Sequence, residues 1–214
     1  MTGWLSRLIP SRSGPQPLSA RAATTMEQWQ SLPDVDLARA HYETRYTVVN
    51  TEATGLDLER DRLLAVGGIA VDCGLIHLDA ACYEKLDPVP AEALSALLGL
   101  AGKGPLIVFN APFNRGMIEQ ALLQHLGLSH AFTWIDLYLL MPALFPERFE
   151  RPVRLAEWMA SFGIETFQRH HALGDAWAIA QLFLAAEARA LSMGLSTAPA
   201  LVEQERAYQQ RLKI

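Results

Sequence analysis

From residue 46 onward the chain alternates short, β-branched apolar runs with stretches of helical period, and this alternation limits its folding more than any other feature. Residues 46–52 (YTVVNTE) read as a buried strand that stops before Gly55. Residues 63–71 (LLAVGGIAV) and 75–83 follow as two further strands, the first softened by Gly67 and Gly68. Helical spacing then sets in over 91–100 and is closed by Gly102 and Gly104. A fourth strand is expected at 105–109 (PLIVF), then a helix over 113–126 with Pro112 near its start. A short apolar piece at 132–135 predicts a fifth strand, and helices fit 137–144, 153–162, 172–192 and 198–212. Three early strands that can pair in sequence, followed by strand and helix alternation, predict an α/β fold with one mixed five-stranded sheet flanked by helices.

The chain has 214 residues, 50% of them hydrophobic, which is enough to fill one sizeable core. No internal repeat or second-domain linker interrupts it. The expected organisation is a poorly packed N-terminal arm over 1–40, one domain over 41–194, and a terminal helix over 195–214 that packs on or extends from it. Residues 1–26 carry Arg7, Arg12 and Arg21 and no acid, but offer no apolar block of secretory length, so an arm is favoured over a targeting segment. A formal charge of -5 excludes coating of nucleic acid by bulk electrostatics, though not a focused contact with phosphate. The richest apolar stretch, 176–186, is shorter than the roughly 18 residues a membrane span needs and ends at Glu187, so a cytoplasmic protein without membrane contact is expected. Cys73 and Cys82 match no disulfide or zinc spacing and read as buried free thiols in a reducing compartment.

Three separated segments carry polar groups where such a sheet would gather them. Asn50, Thr51 and Glu52 end the first strand, and a period of two points Asn50 and Glu52 to one face. Asn110 and Asn114 stand in FNAPFNR at the end of the fourth strand. His170 and Asp175 stand in HHALGDA, at the start of a long helix. Singly, each reads as a solvated strand end, a helix cap or surface histidines.

Together and in this order they resemble the DEDDh-type 3′-to-5′ exonucleases of the ribonuclease H-like superfamily, the DnaQ-like group that includes bacterial polymerase proofreading subunits. The first motif of that family, D-x-E followed by T-x-G-L, stands here as residues 50–56 (NTEATGL), with its D-R-L-L continuation at 61–64. The second, N-A-x-F-D, stands as 110–114 (NAPFN), and the third, H-x-A-x-x-D-A, is intact at 170–176. The resemblance covers most of the chain, from about 46 to 184, and implies a ribonuclease H-like sheet. It also implies two-metal phosphodiester hydrolysis with Mg²⁺ or Mn²⁺, hard ions that take oxygen ligands. By that resemblance Glu52 and Asp175 are metal ligands, Asn50 a weak one and Asn114 a weak outer-shell one. His170 is then the general base, a role suited to a pKa near neutrality. Thr54, Leu56, Asn110 and Phe113 lie beside the terminal nucleotide. The implied partners are a single-stranded DNA or RNA 3′ end and a DNA polymerase or other protein.

Two departures qualify that expectation. Asn50 and Asn114 replace aspartates, so four carboxylates become two, and the second metal is expected to bind poorly. The stretch between Tyr83 and Pro105 also lacks the family's H-G-I/L-type substrate loop. An Asp to Asn change keeps size while removing like-charge repulsion, which fits either a degenerate nuclease or one inactivated on purpose; the missing loop favours natural divergence. Three readings follow: an attenuated exonuclease, a binding module that keeps the fold and its 3′-end groove, and a purely structural partner. The last leaves His170 and Asp175 unexplained.

Overall fold

The computed structural model describes residues 18–212. In chain order the elements are helix α1 (Ala20–Ser31), strands β1 (Tyr46–Ala53), β2 (Leu63–Asp72) and β3 (Leu75–Lys85), and helix α2 (Pro90–Ala101). Strand β4 (Leu106–Val108), helix α3 (Ala111–Leu126), strand β5 (Trp134–Asp136) and helices α4 (Leu137–Leu144), α5 (Leu155–Phe162), α6 (Ala172–Ser192) and α7 (Ala198–Leu212) complete it. The sheet order is β3-β2-β1-β4-β5; β1 to β3 pair antiparallel, and β4 and β5 run parallel to β1. This is the mixed five-stranded α/β architecture that the alternation predicts.

The pleat of β1 divides the core in two. Tyr46 and Val48 face α4, α6 and α7 in one cluster with Trp158 and Phe183. Val49 faces the opposite way, into a second cluster with α1, α2 and α3. Both faces of β1 are buried through Val49, Thr47 being the one polar side chain there, and half-buried polar groups gather at its C-terminal end, from Asn50 on. A sheet buried on both sides leaves its strand ends as the place where polar side chains can gather without an unmet desolvation cost.

Two expectations are corrected. Residues 20–31 are not a poorly packed arm: Ala22, Met26 and Trp29 are buried, and Trp29 Nε1 donates to the Gly102 carbonyl at 2.6 Å. Ser19 caps this helix, its hydroxyl accepting from Ala22 N–H at 3.1 Å; the remainder of the expected arm before residue 18 lies outside the described residues. The cysteines are not both buried, because Cys73 is exposed at the turn between β2 and β3 and Cys82 is half-buried. Helix α7 packs on the domain: Ala198, Leu201 and Tyr208 are buried, and Glu205 accepts a hydrogen bond from Asp136 N–H at 2.9 Å. Among the described residues no helix is long and apolar enough to cross a membrane.

Candidate functional site

Strand register assembles one half of the site. Asn50 pairs with Gly67, and Gly67 in turn with Tyr83, so the three form a row across β1, β2 and β3. The middle position has no side chain, and the N-terminus of α6 occupies that space: a Cβ on Gly67 would lie 2.4 Å from the Ala172 carbonyl carbon. This close approach brings Ala172 N–H within 2.8 Å of Glu52 Oε1, placing a carboxylate on the positive end of a helix. The Tyr83 hydroxyl reaches Glu52 Oε2 at 3.5 Å. Burial, then the charge and hydrogen bond of Glu52, push the Tyr83 hydroxyl above its ordinary pKa. Tyr83 also stacks on the His171 ring with centroids 4.1 Å apart.

The segment before α6 is folded tightly onto its first turn. Thr166 Oγ1 donates to the Gly174 carbonyl at 2.6 Å, and a Cβ on Gly174 would lie 2.1 Å from the Gln168 carbonyl oxygen. His170 is exposed and takes a left-handed backbone conformation, φ 58°. Asp175 is buried, at 7% exposure. Burial raises its carboxyl pKa, opposed by the charges of Arg169 and His170. Its Oδ1 stands 3.2 Å from Arg169 Nε as an ion pair. Neither atom has a hydrogen-bond partner, so the contact is one of charge rather than of aligned donor and acceptor.

The other half lies at the C-terminal ends of β1 and β4. Asn114 is buried at 4% exposure; its Oδ1 accepts from Thr51 Oγ1 at 2.8 Å, and its Nδ2 donates to the carbonyls of Phe109 and Asn110 at 2.9 and 3.2 Å. Asn110, not Asn114, caps α3, and it does so in a left-handed conformation with φ 73°. Asp136, at the end of β5, fixes that turn: its carboxylate accepts from the N–H groups of Asn110 and Ala111 at 2.8 Å each and of Tyr138 at 2.9 Å. Here a cavity of about 400 Å³ opens, lined by Asn50, Thr51, Phe109, Asn110, Phe113, Asn114, Tyr138 and Arg154 among others. Phe109 and Tyr138 meet edge to face at 5.7 Å.

Of the residues expected from sequence, Asn50, Asn110, Phe113 and Asn114 share this cavity. Glu52 and Asp175 both lie at the first turn of α6, with His170 on the loop that enters it. Thr54 closes the turn after β1, donating to Asp61 Oδ1 at 2.7 Å, and Leu56 is 82% exposed on that turn. Tyr83, Asp136, Tyr138, Arg154 and Arg169 were not anticipated. Arg169 adjoins the third motif, and its position beside His170 was the available signal.

The residues present do not fit a two-ion centre. Glu52 is engaged by Ala172 N–H and Tyr83, Asp175 faces a guanidinium, Asn114 is saturated by protein partners, and Asn50 is neutral. Among the described residues no group of three or more His, Cys, Asp or Glu could hold a metal ion.

A mixed sheet in the order 3-2-1-4-5 flanked by helices is a ribonuclease H-like fold. Among solved structures, E. coli exonuclease I in complex with a dT13 oligonucleotide matches with a TM-score of 0.52 and 16% identity, over 70% of this chain and 42% of that one. The zinc-bound form of the E. coli exonuclease I complex with single-stranded DNA matches at TM-score 0.51 and 16% identity, over 66% of this chain and 40% of that one. Cell-death related nuclease 4 (CRN-4) matches at TM-score 0.55 and 14% identity, over 73% of this chain and 67% of that one. The chain thus spans less than half the length of exonuclease I. No protein-family model and no curated protein matches the sequence.

Proposed function

We propose that this chain is a protein of nuclease lineage that engages single-stranded 3′ ends of nucleic acid at the open ends of β1 and β4 and holds them with little or no hydrolysis. The observation that carries this reading is the neutral floor of an aromatic-walled cleft: Asn50 and Asn114 lie where the motif has carboxylates, beside Phe109, Phe113 and Tyr138. Aromatic faces accept unpaired bases by stacking, worth about 1–3 kcal/mol per base. Amides in place of carboxylates remove charges that would repel a phosphodiester in the absence of a counter-ion. Arg154 supplies a cation at the cleft edge. The same substitutions remove the charge that two-metal hydrolysis needs, at a rate cost on the order of 10²-fold or more.

A second reading, residual metal-dependent 3′-to-5′ exonuclease activity, is favoured by Glu52, His170 and Asp175 at their motif positions. One experiment separates the two. Fluorescence anisotropy with a labelled single-stranded oligonucleotide should show binding that a blocked or duplex 3′ end weakens. Incubation of the same oligonucleotide with Mg²⁺, then Mn²⁺, should leave it full length. A 3′-to-5′ ladder abolished by His170→Ala establishes the enzyme; indifference to strandedness and to the 3′ end overturns both readings.

A further inference from the structure

Asp175 is the one buried carboxylate of the site that faces a cation of the protein's own. Its side chain is 11% exposed, and Arg169 Nε lies 3.2 Å away. Arg169 is itself secured: Nη1 contacts the Met159 sulfur at 2.7 Å. The segment that carries it is tied down on both sides, by Thr166 to the Gly174 carbonyl and by the close approach of Gln168 to Gly174. These ties hold the backbone that carries the guanidinium beside Asp175. An isolated charged carboxylate is unfavourable when buried, and a cation beside it offsets that cost.

We infer that Arg169 is the resident cation of the site, its guanidinium neutralising Asp175 where a metal-site carboxylate would be neutralised by a bound divalent ion. With Asp175 paired and Asn50 and Asn114 uncharged, Glu52 alone keeps a negative charge in the cluster, and its two oxygens already accept from Ala172 N–H and Tyr83. An arriving divalent ion meets a positive charge and two occupied carboxylates. Loss of the motif aspartates and retention of an arginine against Asp175 are then two parts of one change, from a metal-charged site to one charged by the protein. This inference rests on reading positions 50, 52, 114 and 175 as a former metal cluster, and it makes occupancy of the site by nucleic acid independent of metal.

The test is a set of thermal melts at matched ionic strength, with EDTA or with saturating Mn²⁺. The wild-type midpoint should not move with Mn²⁺, and Asn50→Asp alone should respond little. Asn50→Asp combined with Arg169→Gln should gain a clear Mn²⁺-dependent rise, because a ligand bound only by the folded state stabilises it. Asn50→Asp with Arg169→Lys, which keeps the charge, should behave like Asn50→Asp alone. A Mn²⁺ response in the wild type as large as in the Asn50→Asp, Arg169→Gln pair, or none in that pair, overturns the inference. Should the Gln variant fail to fold, wild-type anisotropy decides: affinity for oligo(dT) should be equal in EDTA and Mn²⁺, and a several-fold gain with Mn²⁺ overturns the role of Arg169. Absence of oligonucleotide binding under both conditions sinks the proposed function instead, and the wild-type melt then decides the cation: a Mn²⁺-dependent rise overturns its role and an unmoved midpoint supports it.

Discussion

Asn114 uses its amide as a bridge, with Oδ1 accepting from the Thr51 hydroxyl and Nδ2 donating to the Phe109 and Asn110 carbonyls. An aspartate there would turn a carboxylate oxygen toward two carbonyl oxygens inside a buried site. Asn114→Asp should therefore destabilise the fold by about 1–3 kcal/mol in urea unfolding, the penalty of a buried polar group set against a like neighbour. Asn50 is half-buried at a strand end with no side-chain bond of this kind among the described residues, so Asn50→Asp should lose clearly less. The reverse order would show that the Asn114 bridge is energetically idle. Motif order and spacing were enough to pick out both asparagines, Glu52, His170 and Asp175. Tyr83 was not legible, because its place beside Glu52 depends on the register of three strands, which a sequence does not print. The saturation of Asn114 was hidden for the same reason: Thr51 lies 63 residues away along the chain.

Elements were legible where their period was strong, and α4, α6 and α7 have the bounds that the apolar spacing predicts. Helix α1 was missed because Arg21, Thr24, Thr25, Glu27, Gln28 and Gln30 dominate it, although Ala22, Met26 and Trp29 already trace a helical stripe. Gly67 was read as a weak point in β2, whereas it makes room for α6. Gly67→Ala should push the Ala172 backbone away, lower stability to urea by about 1–3 kcal/mol of overpacking, and weaken oligonucleotide binding by detaching Glu52 from the helix end. Normal binding in a folded Gly67→Ala protein would remove the α6 N-terminus from the site. The contact between α7 and β5 is sensitive to pH. Burial foremost, with the charge of Asp136, raises the Glu205 carboxyl from 4.5 to about 7, against the Asp136 N–H bond and the charge of Arg206. A pKa raised on folding gives stability that is complete below 4.5 and is lost as pH climbs through about 7. Glu205→Gln should remove that loss, on the order of 1–3 kcal/mol at alkaline pH. Asp136, Asp175 and Glu187 are raised as well, each mainly by burial, so the pH profile of the midpoint should flatten without becoming level. An unchanged slope between pH 4.5 and 7 would mean that Glu205 titrates as in the unfolded chain.

Across the whole molecule the sheet separates two cores that serve different ends. The cluster on the α6 face includes Ala176, next to Asp175, and Ile179, one turn beyond it, together with Leu137 and Leu140 on either side of Tyr138, so its packing sets the geometry of the cleft. The opposite cluster holds Met26, Trp29, Leu94, Leu98 and Phe132 and reaches the site through α3 and through Val49 and Val108, which precede Asn50 and Phe109 in the chain. Trp29 is its outermost anchor: it meets His130 edge to face at 5.1 Å, lies under Lys103 Nζ at 5.7 Å, and hydrogen-bonds the Gly102 carbonyl. Trp29→Ala should cost about 3–5 kcal/mol of stability through the lost burial and the cavity left behind. The same variant, kept at a temperature where circular dichroism shows it folded, should bind a single-stranded oligonucleotide with unchanged affinity, because the strand ends and the α6 N-terminus hold their positions without α1. A protein that is weaker in urea but equal in anisotropy separates the layer that supplies stability from the layer that shapes the site. If affinity falls along with stability, the two clusters act as one unit, with α2 and α3 transmitting the loss of Trp29 to Asn114 and the floor of the cleft.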